Sequence, residues 1–139
     1  MRANSKILVA KSDATTVTSL TASVDTKGFS FARLIFVSTS NGAITGTNNI
    51  LEESDDNTTF VTVSGFNAGT DFTAINSTNS TADAKLYFGV DLRGRKRYLK
   101  ATVTHATGGT GMWIAELSSP ANGMNTAAEL GAKNIAGNF

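Results

Sequence analysis

Four cations fall within a five-residue span, Arg93, Arg95, Lys96 and Arg97, a grouping whose chemistry is phosphate recognition or a basic targeting signal. Phosphate binding also needs further basic groups and a groove or aromatic platform, and a chain of net charge +1 offers no general electrostatic field for nucleic acid. The acidic counterpart is Glu52, Glu53, Asp55 and Asp56. A hard cation needs several such oxygens converging at short range, and the spacing departs from the calcium-loop pattern, so a solvated hairpin tip is expected instead. His105 is the single histidine; no carboxylate is close in sequence to form an acid/base pair, so a loop residue is expected. Gly108-Gly109-Thr110-Gly111 lacks the Gly-Lys-Ser/Thr ending of a phosphate loop and is expected to be a tight β turn. With no cysteine there is no thiolate nucleophile, disulfide or cysteine metal site. No catalytic, metal or cofactor site is predicted, and the chain is not expected to be an enzyme.

The elements that position these residues follow from periodicity. Leu86, Phe88, Val90 and Leu92 alternate with polar or small neighbours, and so do Leu99, Ala101 and Val103, the period of half-buried strands. The cations sit at the join. A direct hairpin would set Val90 against Leu99, Phe88 against Ala101 and Leu86 against Val103; the alternative is a pair of strands that are not neighbours. Phe29 to Ser38 places Phe29, Phe31, Arg33, Ile35 and Val37 on one face and Ser30, Ala32, Leu34 and Phe36 on the other. Its second half is apolar on both faces, which predicts a central strand covered by another layer. Further strands are expected at Lys6 to Ala10, over Thr15 to Val24 with a slip of period near Leu20, at Ile50 to Glu53, at Phe60 to Val63, within Ser64 to Thr81 ahead of a long loop, and at Met112 to Leu117. About eight short strands predict an all-β, single-domain antiparallel β-sandwich or jelly roll.

Composition agrees. The 139 residues suit one domain, and 13 glycines with a single proline accompany a hydrophobic fraction of 40% and a charged fraction of 17%. The first thirty residues lack an apolar core of signal-peptide length, and the longest apolar run, Leu34 to Val37, cannot cross a bilayer; a soluble protein made in a cytoplasm, with no membrane partner, is expected. The β domain is placed at 1–119 and an extended C-terminal arm at 120–139. The arm is small and polar, with Met124, Leu130, Ile135 and Phe139 widely spaced. It reads either as a loose terminus or as an arm that orders on another subunit.

Three stretches carry a likeness beyond composition: VDTKGFSFARLIFV (Val24 to Val37), LEESDDNTTFVTV (Leu51 to Val63) and DLRGRKRYLKATVT (Asp91 to Thr104). Their order resembles that of small structural proteins of tailed bacteriophages, of the head decoration or capsid cement type, over roughly Val24 to Leu117. The resemblance implies a β-sandwich on the virion exterior that binds the major capsid protein and stabilises the shell, without catalytic residues or a cofactor. On that basis a homo-oligomer, dimer or trimer, is expected, with no direct nucleic acid contact. Arg93, Arg95, Lys96, Arg97, Met124, Leu130, Ile135 and Phe139 are its expected capsid or subunit contacts. The alternative is a tail-associated sandwich that binds a carbohydrate or host receptor through exposed Trp113, Tyr87 and Tyr98.

Overall fold

Chains rich in Thr, Val, Ile and Phe with period-two patterning gain most by pairing as strands whose apolar faces meet across one core. The computed structural model describes residues 5–38, 49–72 and 84–119, and these are all-β. The strands are β1 (Ser5–Asp25), β2 (Phe31–Ser38), β3 (Ile50–Ser54), β4 (Val61–Asn67), β5 (Ala84–Asp91) and β6 (Tyr98–Ser118). Every strand pairing is antiparallel.

Two strands are long enough to serve both layers of a sandwich. The first half of β6 pairs with β3 on one side (Ile50↔Thr102, Ser54↔Tyr98) and with the second half of β1 on the other (Ala22↔Ala101, Asp25↔Tyr98). Its second half pairs with β2 (Phe31↔Ser118, Ser38↔Gly111) and with the first half of β1 (Ser5↔Ser118, Val9↔Ile114). Layer one is therefore β4-β3-β6-β1 and layer two β5-β2-β6-β1, giving eight strand segments from six strands. The separate strands expected at Lys6 to Ala10 and Thr15 to Val24 are one strand, β1, with register shifts at Val9/Lys11, Asp13/Val17 and Val17/Ser19. The slip of period near Leu20 has its origin in those bulges, which add residues without ending the ladder.

Inward side chains of both layers form a single core. Leu20, Ala22, Val24, Leu51, Val63, Leu99, Ala101 and Val103 of layer one meet Leu34, Phe36, Leu86, Phe88, Val90, Trp113, Ala115 and Leu117 of layer two. Contact between layers is direct: Phe66 of β4 meets Phe88 of β5 edge-on at 5.7 Å, and Trp113 Nε1 donates to the Leu20 carbonyl at 3.0 Å.

Three expectations are corrected. The hairpin register Val90–Leu99 does not form, because β5 pairs with β2 (Leu34↔Phe88, Ala32↔Val90) and β6 pairs elsewhere. The segment 92–97 instead crosses from layer two to layer one, and the matching apolar faces oppose each other across the core. Periodicity states which face is buried and is silent on which neighbour it lies beside. Gly108 to Gly111 is not a tight turn but the bend of continuous β6, with Gly108 at φ 86°. And β2 is central in layer two, yet layer one covers only its Ala32, Leu34, Phe36 and Ser38 face. Its other face lies outside the core.

Candidate functional site

The crossing segment places the predicted cations at one end of the sandwich, where the acids of neighbouring elements meet them. Asp91 ends β5 and accepts from Arg93 Nε at 3.0 Å. Glu53, next to last in β3, accepts from Arg95 Nη1 at 3.5 Å and from the Lys96 backbone N–H at 3.2 Å. Asp55, in the β3–β4 loop, pairs with Lys96 Nζ at 3.0 Å. Asp25 ends β1 and takes a two-pronged contact from Arg97, at 3.0 Å from Nε and 2.7 Å from Nη2. Arg97 also lies over the Tyr98 ring at 4.8 Å. Each of these four cations thus has an acid of its own chain, and the cluster is a charge-balanced surface.

The titration behaviour follows from these contacts. Hydrogen bonds from the Arg93 side chain and then its backbone hold Asp91 down at about 2, and the Arg97 guanidinium lowers Asp25. Conversely, Asp91 raises Arg93, Asp55 raises Lys96 and Asp25 raises Arg97. Asp56 is held well below the usual carboxylate range, first by the backbone N–H of Thr59, then by the Ser54 hydroxyl and the Thr58 N–H. It shapes the exposed 55–60 loop, the hairpin tip that the sequence predicts. Glu52, the remaining acid, pairs with Lys100 at 2.8 Å. Among the described residues no group of three metal-ligating side chains converges.

His105 is not a loop residue. It sits in β6 at the bend, 2% exposed, with the Phe36 ring at 5.8 Å, and among the described residues neither ring nitrogen has a hydrogen-bond partner. Burial pushes it down from its ordinary value, so it is the neutral form that the core holds. The adjacent glycines make its space: a Cβ on Gly109 would lie 2.5 Å from His105 Cδ2, and one on Gly111 would lie 2.7 Å from the Val37 carbonyl oxygen and from Phe36 Cζ. Close approach is the reason for glycine at both positions.

The aromatic candidates separate as well. Trp113 is fully buried, stacked on Phe88 at 6.0 Å and 15°, so it offers no sugar platform. Tyr87 and Tyr98 do not share a face: Tyr87 is on layer two, 56% exposed, and Tyr98 is on layer one beneath Arg97. An apolar groove of about 320 Å³, lined by Gly65, Phe66, Phe72, Leu86, Tyr87 and Phe88, opens where β4 and β5 leave the two layers unjoined. The predicted arm, with Met124, Leu130, Ile135 and Phe139, lies outside the described residues.

The two outer faces differ in chemistry. Layer one shows Ser19, Thr21, Ser23 and Asp25 beside Thr102, Lys100 and Glu52, with Thr21 and Thr102 hydroxyls 3.0 Å apart and Lys100 over the Phe60 ring at 4.3 Å. It is a polar face. On layer two the register aligns Val9, Ile114, Ile35 and Tyr87 in one row across all four strands. The row on one side is Ser12, Met112 and Val37; on the other it is Ile7, Glu116, Arg33 and Gly89. Arg33 pairs with Glu116 at 3.1 Å, and the Tyr87 and Phe31 rings close over Gly89. Ile7 is 55% and Val9 60% exposed. The double-sided apolar pattern of β2 was the sequence signal for this face, but it pointed equally to a covering layer.

No known protein family, curated protein or solved structure matches this chain. The class that fold and surfaces define is an antiparallel β-sandwich with one polar and one apolar outer face.

Proposed function

We propose that the protein is a non-enzymatic virion structural protein, a cement or decoration protein on the capsid exterior that binds the major capsid protein and stabilises the shell. The observation that carries this is the contrast between the outer faces: hydroxyls and ion pairs on layer one, and a four-strand apolar row on layer two. Large contiguous apolar patches on a folded surface mark protein contacts. A molecule with one wetted face and one protein-contact face suits a subunit of an assembly on the outside of a shell. The residue likeness in Val24 to Val37, Leu51 to Val63 and Asp91 to Thr104 supplies the phage context.

The charged end is the proposed shell contact. Its surface ion pairs each contribute little to stability, so exchanging an internal partner for one on the shell costs little while charge complementarity sets orientation. Repetition over a lattice then multiplies a weak contact into firm attachment. Purified protein is expected to co-sediment with expanded heads that lack it and to raise their disruption temperature. Charge reversal at Arg95 and Lys96 together should abolish that binding without unfolding the protein. Heads that neither bind the wild-type chain nor gain stability from it would refute the proposal.

A further inference from the structure

The apolar row on layer two needs an occupant, and its geometry favours another flat sheet. We infer that this face packs against the same face of a second copy of the chain, forming a two-fold dimer centred on Val9, Ile114, Ile35 and Tyr87. The inference rests on layer two being a protein-contact face, as proposed above, and not on attachment to a shell.

Area is the first support. Four strands at about 4.8 Å spacing and eight-residue rows at about 3.4 Å per residue give a projected face of roughly 500 Å². Side-chain relief makes the accessible area larger than this projection, which moves it towards the roughly 800 Å² per partner of an ordinary stable interface. Shape is the second. Two such faces can stack about 10 Å apart with β-branched and aromatic side chains interdigitating, the same packing that joins layers inside a sandwich. The third support is charge. The central charges of the face are Arg33 and Glu116, one of each sign, side by side in one row. A two-fold axis near that row brings each arginine towards the other copy's glutamate, so like charges need not meet. A strongly charged partner would want a face of net charge, which this one lacks.

The perturbation uses exposed positions, so the core is untouched. Val9→Glu and Tyr87→Glu place carboxylates in the row at side chains 60% and 56% exposed. Ser19→Glu, on the polar face of layer one, is the control. Sedimentation velocity and light scattering on the full chain should find wild type and Ser19→Glu at twice the 14.5 kDa monomer mass. The row variants should dissociate with a Kd raised at least about 100-fold, about 2.8 kcal/mol at 1.4 per tenfold, with unchanged circular dichroism. A monomeric wild type overturns the inference, including one whose Val9 and Tyr87 are shielded by its own C-terminal segment. So does a dimer that tolerates both row variants. A dimer that fails to bind heads would refute the shell proposal and leave this inference standing; a monomer that binds heads would do the reverse.

Discussion

Replacing Gly109 with alanine tests the bend of β6 at its tightest point. The added Cβ would lie 2.5 Å from His105 Cδ2, 2.7 Å from Nε2 and 2.9 Å from Cγ, against ordinary contacts of 3.4 Å or more. The ring has little room to retreat, since it is 2% exposed and has the Phe36 ring 5.8 Å away. Overpacking of this kind costs about 1–3 kcal/mol. If the ring is the obstacle, His105→Ala removes all three clashing atoms. In that background Gly109→Ala should cost less than about 0.5 kcal/mol, and it could even stabilise, because alanine restricts the unfolded chain. The double-mutant cycle then yields a coupling of about 1–2.5 kcal/mol, read from urea unfolding followed by fluorescence of Trp113, the one tryptophan. Gly111→Ala is the comparison: it meets the Val37 backbone oxygen at 2.7 Å, and His105→Ala should not relieve it. Additivity of Gly109→Ala and His105→Ala within about 0.5 kcal/mol would refute this account of the bend.

The buried imidazole also predicts a pH effect. The folded state holds His105 neutral while the unfolded chain takes up a proton below about pH 6.5, so stability should fall as pH drops through that value. His105→Leu should remove that slope between about pH 7 and 5 and match or exceed wild-type stability, because two unpartnered nitrogens leave the core; thermal melts at both ends check it. Asp56 has the same sign in a lower pH window. Its depressed folded value means the carboxylate's contribution is full above about pH 4 and is lost as pH falls through the folded value, so the Tm gap between wild type and Asp56→Asn should close towards about pH 2. Trp113→Phe should cost about 2–4 kcal/mol by circular dichroism, combining lost volume with an unpaired buried Leu20 carbonyl. Asp25→Asn, breaking an exposed pair, should cost less than about 1 kcal/mol in the same measurement.

Much of the strand content was legible because alternation reports burial directly. The inward set Leu86, Phe88, Val90 and Leu99, Ala101, Val103 is as periodicity predicts. The fate of the cations was not legible. Arg97 meets Asp25, and Arg95 meets Glu53, across sequence separations of 72 and 42 residues that no local pattern encodes. His105 looked like a loop residue because Gly108 to Gly111 follows it, when those glycines are there to give a buried ring and the neighbouring strand their space.

By itself, then, the sequence determined that the chain folds as antiparallel strands around one core, which side chains that core takes, and where the exposed β3–β4 tip lies. These depend on hydrophobicity and local backbone preference, which act over a few residues. Only the tertiary structure decided that β5 and the first half of β6 oppose each other across the core, that β1 and β6 run through both layers, and that the second apolar face of β2 stays outside. Each is a choice among strand neighbours, and strands of equal period are interchangeable until turns, bulges and the packing of large side chains such as Trp113 and Phe36 select one arrangement. The four-strand row from Val9 to Tyr87 exists only in that arrangement.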